Sequence, residues 1–131
     1  MSLAVVAVAL LTPPLAFARP ACVGSGESRV CCKPDGNTME TRVCASQDLA
    51  VADRELNKTY KAVMHALTPD ARAALRIEQR AWLNRLEPDC IADVGDPATS
   101  GTIWPQEFTD CKAQETRKRT QALRARSAMR Q

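Results

Sequence analysis

Between Cys44 and Cys90 the chain reads as two amphipathic helical segments separated only by Thr68-Pro69. Leu49, Ala52, Leu56, Tyr60, Val63 and Leu67 recur at steps of three and four residues, which is one face of a helix. Ser46 offers a capping hydroxyl before that stripe, and Asp48 puts an acid in the first turn, where the helix dipole favours negative charge. Ser46→Ala is therefore expected to cost about 1 kcal/mol. Thr68-Pro69-Asp70 repeats the start signal, with a hydroxyl, a proline at the first helical position and an acid. Ala71, Ala74, Leu75, Trp82 and Leu86 form the second stripe, and Glu87-Pro88 predicts its end. So short a junction folds the pair into an antiparallel hairpin, with Cys44 and Cys90 at one end.

Beyond Cys90 the residues from Ile91 to Gln106, with Gly95, Pro97, Gly101 and Pro105, carry no helical pattern and predict a loop. A third helix is expected from about Gln106, with Phe108, Cys111, Ala122 and Leu123 facing inward. The fold class that results is all-α, a small disulfide-stabilised three-helix bundle built on the antiparallel hairpin. With aromatics at 4%, its core rests on Leu, Val, Ala and the two tryptophans. Cross-links then matter, because a small core leaves a thin margin of stability. Removing Trp82 as core anchor is expected to cost about 3–5 kcal/mol.

Residues 1–18 carry no charge and end in Ala16-Phe17-Ala18, a hydrophobic run closed by a small-residue cleavage pattern. They read as a secretory signal peptide with cleavage near Ala18, and the run is too short to span a bilayer. A periplasmic or secreted product follows, in which six cysteines suit a disulfide framework. Residues 19–43, punctuated by Gly24, Gly26, Pro34 and Gly36, read as a Cys-rich irregular segment, and 44–131 as the helical domain.

The formal charge of +3 is mildly basic. Much of the excess lies in Arg117, Lys118, Arg119, Arg124, Arg126 and Arg130, which read as a solvated helix face and not a nucleic-acid surface, since few aromatics are interleaved. Cys31 and Cys32 are adjacent, the other cysteines are far apart, and His65 is the single histidine, so no metal site is expected. His65 lies mid-helix beside no marked nucleophile, and for carboxylate pairs such as Asp53 with Glu55 or Asp89 with Asp93 the sequence shows neither the cleft nor the shifted pKa values that acid–base work needs. No cofactor is expected, and enzyme activity is the weak reading.

Polar residues on the apolar stripes are more informative. Asp53 continues the line of Leu49, Leu56 and Tyr60, and Gln79 that of Leu75, Trp82 and Leu86. Buried there, each must be hydrogen-bonded or paired. A structural clamp of Asp53, Gln79, Trp82 and Arg119 is expected, with Arg80, Arg85 or Arg119 as partner of Asp53.

Together these residues resemble the LprI-type lysozyme inhibitors, small exported helical proteins of bacteria. The likeness rests on Cys32 and Cys44, then Leu49-Ala50-x-x-Asp53-x-x-Leu56-x-x-x-Tyr60, then Gln79-x-x-Trp82-Leu83 and Cys90, and finally Cys111 and Thr116-x-x-Arg119-x-x-x-Leu123. It implies a partner, lysozyme or another cell-wall lytic enzyme, inhibited by protein–protein occlusion. Thr99, Ser100, Gly101, Thr102 and Trp104, on the loop between Cys90 and Cys111, are the expected partner-binding residues. The other reading is a structural or ligand-binding envelope module on the same scaffold. Cys22 and Cys31 stand outside the family pattern and are expected to pair locally. Cys32, Cys44, Cys90 and Cys111 would pair among themselves, with Cys44–Cys90 and Cys32–Cys90 both open.

Overall fold

A computed structural model describes residues 21–129; the expected signal peptide and its cleavage near Ala18 lie outside the described residues. The chain forms a short antiparallel hairpin of β1 (Cys22–Val23) and β2 (Val30–Cys31), then α1 (Thr38–His65), α2 (Pro69–Val94) and α3 (Trp104–Ala128). The three helices pack together, so the fold is all-α with a small two-stranded appendage.

α1 begins earlier than the stripe suggested. Asn37 is its cap: its side chain accepts from the backbone N–H groups of Met39 and Glu40 at 3.0 and 3.1 Å, while the Glu40 carboxylate accepts from Asn37 N at 2.9 Å. This reciprocal box satisfies donors that a helix start otherwise leaves unpaired. Ser46 is exposed in the helix interior and caps nothing. The segment before Cys44 is accordingly not irregular throughout. Cys22 bonds Cys31 across the β-hairpin, and Cys32 bonds Cys44 in the second turn of α1, tying the hairpin to the helix.

The Thr68 hydroxyl caps α2 and Pro69 occupies its first turn. Pro88 does not end this helix, which continues to Val94. Cys90, fully buried and bonded to Cys111 of α3, holds the turn beyond the proline in place. Neither of the bridges considered from Cys90 back to Cys32 or Cys44 forms. The reason lies in which helices are neighbours.

α1 and α3 run parallel and lie closest together. Thr41 bonds Gln106, Asp48 faces Arg117 and Glu55 pairs with Arg124, in that order along both helices. Small buried residues make the close approach possible: Ala45, Ala52 and Thr59 on α1, Ala113, Thr116 and Thr120 on α3. α2 runs antiparallel to α3, through Cys90–Cys111, Lys112–Glu87, Arg119–Gln79 and Arg126–Glu78. α1 and α2 meet near their turn, where Leu56, Val63, Leu67, Leu75 and Leu123 form the core, and they diverge away from it. Cys90 therefore faces α3 and not Cys44. On the stripes, Ala74 and Ala122, expected to face inward, are exposed. The basic residues of α3 from Arg117 to Arg126 are engaged by Asp48, Glu115, Gln79, Glu55 and Glu78.

Candidate functional site: a tethered loop and an open groove

Two surfaces gather the residues that the sequence singles out. The first is the connection from α2 to α3. Gly95 ends α2 at φ 92°, a left-handed conformation that glycine adopts without steric cost, and a Cβ there would lie 2.9 Å from the Ser100 hydroxyl. Asp96 then organises the turn. Its carboxylate accepts from Ala98 N at 2.7 Å, and its carbonyl accepts from the Thr99 and Ser100 hydroxyls at 3.3 and 2.8 Å. Trp104 Nε1 donates to the Gly95 carbonyl at 2.7 Å, its ring stacks on Phe108 at 4.6 Å, and Lys112 lies over the other ring of that pair. Arg42 of α1 donates to the Thr102 carbonyl. Trp104 is thus half-buried as the seal of the loop, and the Thr99 and Ser100 hydroxyl protons are already committed inside it.

The tip itself is open. Thr99, Gly101, Thr102 and Ile103 are exposed. The Thr102 hydroxyl and the backbone N–H groups of Gly101, Thr102 and Ile103 have no acceptor among the described residues. They sit at the N-terminal end of α3, where aligned peptide dipoles favour negative charge.

The second surface is a groove of about 470 Å³ between α1 and α2. Tyr60 and Trp82, both half-buried, line it together with Leu56 and Leu86, and Asp53, Asn57, Arg76 and Arg80 stand at its edges. Here the structure departs from the expected clamp. Gln79 Oε1 accepts from Arg119 Nε at 2.9 Å, and Glu78 lies 4.0 Å from the same guanidinium. Burial lowers the pKa of Arg119 from its ordinary value, and the charge of Glu78 opposes that shift. Asp53, however, is exposed and has no side-chain partner among the described residues, so it is not part of the clamp. The stripe is wider than the buried face, because α2 diverges from α1 at this level. Asn57 and Arg76 went unremarked in the sequence, and Arg80 and Leu83 entered it only as a possible partner of Asp53 and as part of the family likeness. The four- and three-residue steps from Arg76 to Arg80 to Leu83, beside Trp82, were the available signal.

A further depression between α1 and α3 is crossed by the Glu55–Arg124 pair at 3.0 Å. Among the described residues no cluster of His, Cys, Asp and Glu is arranged to hold a metal ion, and no helix is long and apolar enough to cross a membrane.

With the geometry in place, comparison with known proteins identifies the scaffold. The family model for the lysozyme inhibitor LprI matches residues 31–123, from the second strand to the last core leucine of α3. This chain belongs to the LprI lysozyme inhibitor family. It is also 34% identical over 106 residues to an uncharacterized protein of Rhizobium meliloti (strain 1021), a match spanning 71% of this chain and 76% of that one. No solved structure matches. The matched span takes in Cys32, Cys44, Cys90 and Cys111, and the Cys22–Cys31 bridge crosses its edge.

Proposed function

We propose that this LprI-family chain is an exported, non-catalytic inhibitor of lysozyme-type cell-wall hydrolases, and that it blocks the enzyme's carbohydrate cleft with the loop between α2 and α3. The observation that carries this reading is the pre-ordered tip from Thr99 to Ile103, held between the Cys90–Cys111 bond and the Trp104–Gly95 hydrogen bond. A cleft that hydrolyses glycosides presents two carboxyl groups. The free donors at Gly101, Thr102 and Ile103 are the groups to meet them, with the Arg42 guanidinium behind the loop. Ile103 supplies exposed apolar area beside them. Because the loop is ordered before the encounter, little conformational freedom is lost on binding.

The occlusion assigns different tasks to the residues expected to bind. Thr102 and Gly101 offer donors to the partner, whereas Ser100 and Trp104 hold the loop's shape. Thr99, with its proton given to Asp96, presents only acceptor capacity. The net charge of +3 gives no long-range attraction to a cationic lysozyme. Association should then depend on local fit, with little acceleration at low ionic strength.

The decisive experiment titrates the mature protein into lysozyme and follows the clearing of a cell-wall suspension. Slowed lysis that saturates with inhibitor is the expected result. No slowing at a large molar excess, against both chicken-type and goose-type enzymes, overturns the reading.

A further inference from the structure

The sequence elements that carry the family likeness, Leu49 to Tyr60 on α1 and Gln79 to Leu83 on α2, are only partly taken up by the core. Asp53, Leu56, Tyr60, Gln79, Trp82 and Leu83 all line the open groove between the helices. We propose that this groove is a binding site for a short anionic glycan, an amino-sugar chain bearing a carboxylate. The site is separate from the loop and does not depend on the inhibition reading.

Its dimensions suit such a ligand. The α1 wall from Asp53 to Tyr60 is about 10 Å long and the α2 wall from Arg76 to Leu86 about 15 Å, at the rise of an α-helix. A volume of about 470 Å³ falls within the range of small-molecule sites. That is room for about two sugar rings, and too little length for a docked helix of several turns.

Its chemistry is equally selective. Tyr60 and Trp82 are anchored on the core cluster yet remain partly open to solvent, offering rigid aromatic surface to the C–H face of a pyranose. Around them are polar groups without side-chain partners among the described residues: Asp53 and Asn57 on α1, Arg76 and Arg80 on α2. The helix seams elsewhere are treated differently, with Glu55–Arg124 and Glu78–Arg126 paired across them. Asp53 and Asn57 are acceptors for sugar hydroxyl and acetamido N–H groups. Two arginines against one carboxylate make the groove net positive, and a guanidinium binds a carboxylate in bidentate fashion. Gln79 has its carbonyl oxygen fixed by Arg119, so its amide is held in one orientation with the N–H groups left to donate. A cationic protein surface would be repelled by Arg76 and Arg80. An acidic peptide would satisfy them but leave the acceptors on α1 unmatched.

The test uses two soluble disaccharides that differ in one substituent. The N-acetylglucosaminyl–N-acetylmuramic acid disaccharide carries the carboxylate, and di-N-acetylchitobiose lacks it. Binding is followed by titration calorimetry on the mature chain. It is also followed by fluorescence of a Trp104→Phe variant, in which Trp82 is the one remaining tryptophan. The acidic disaccharide should bind saturably, shift the Trp82 emission and exceed chitobiose in affinity by about tenfold or more. The double variant Arg76→Gln/Arg80→Gln, altered only at exposed positions, should erase that difference while keeping its helical circular dichroism. No saturable binding of either sugar overturns the proposal, as does equal affinity for the two. So does discrimination that survives the double variant, or a concentration-dependent dimer that buries Trp82 and excludes the sugar. Lysozyme is absent from the assay, so its outcome is independent of whether the chain inhibits that enzyme.

Discussion

Arg119 of α3 donates from Nε to Oε1 of Gln79 on α2 at 2.9 Å, while its Nη2 is buried without a hydrogen bond. The Gln79 amide thus accepts from a partly desolvated guanidinium whose other support is the charge of Glu78 at 4.0 Å. Gln79→Ala should destabilise the fold by about 1–3 kcal/mol, since it strands the charged partner as well as deleting a bond. Replacing both, as Gln79→Leu with Arg119→Met, should cost less than the two single changes added together. Urea unfolding of the four proteins measures the coupling; strict additivity would mean that the pair does not act as a clamp.

The capping box gives a second expectation. Asn37→Ala removes the acceptor for Met39 N and Glu40 N and should cost about 1 kcal/mol. Ser46→Ala, at an exposed interior position, should change stability by no more than about 0.5 kcal/mol. Glu40 has its pKa lowered by the Asn37 backbone hydrogen bond and by Lys33. The part of the cap that depends on its charge is therefore present above the ordinary glutamate value and lost as pH falls through the lowered one. Thermal melts of the two variants at neutral pH, and of Glu40→Gln against the parent at neutral and acid pH, check both statements.

Those two residues also show what the sequence made legible. The apolar stripe from Leu49 to Leu67 and the Thr68-Pro69 start were readable because large side chains at helical spacing and a capping hydroxyl are strong local signals. Asn37-Thr38-Met39-Glu40 carried an equally good signal, but it follows prolines, glycines and paired cysteines that suggest irregular chain. Pro88 misled for a different reason, since a disulfide far away in sequence holds the helix beyond it. The α1–α3 seam was invisible because alanine and threonine show little periodicity in hydrophobicity. The exposure of Asp53 could not be read either, because it depends on how far α2 diverges from α1.

That seam makes the third expectation. Ala113 is 1% exposed where α3 lies against α1. Ala113→Leu adds apolar area but has no space to fill, and should destabilise by about 1–3 kcal/mol. The same change at Ala122, which is exposed, should be close to neutral. A stability gain at Ala113, measured by denaturant midpoint, would contradict the close packing of these helices.

Asp110 on α3 supplies a pH dependence of the opposite sign to Glu40. Partial burial, followed by the nearby charge of Asp48, raises its pKa above the ordinary 3.8. A group with a raised folded-state pKa stabilises most below the unfolded value, and that contribution is lost as pH rises through the folded one. Asp110→Asn should therefore stabilise the protein at neutral pH, by about 0.5 kcal/mol once solvent screening is allowed for. The gain should shrink as pH falls through the raised value and be gone below the ordinary aspartate value, where the carboxyl is protonated in both states. Melting temperatures of both proteins from pH 3 to 8 give the comparison, and a gain that grows on acidification would oppose this assignment.

The Cys90–Cys111 bond links loop order to inhibition. The two residues are 21 apart in sequence, and in the chain-entropy treatment their cross-link contributes about 3 kcal/mol by restricting the unfolded chain. Cys90→Ala/Cys111→Ala should lose about that much stability, and hydrogen exchange should quicken first in the turn of α2 beyond Pro88. If the loop is the inhibitory element, it then has to be ordered on binding, at about 0.5–1.5 kcal/mol for each side chain immobilised. Inhibition of lysozyme, measured well below the melting temperature of the variant, should weaken by about tenfold or more. The Cys22→Ala/Cys31→Ala variant removes a bridge in the β-hairpin, outside the loop, and should inhibit as the parent does. Equal loss from both variants would point to general destabilisation and away from the loop, whereas loss confined to the first ties the inhibitory surface to the segment from Thr99 to Ile103.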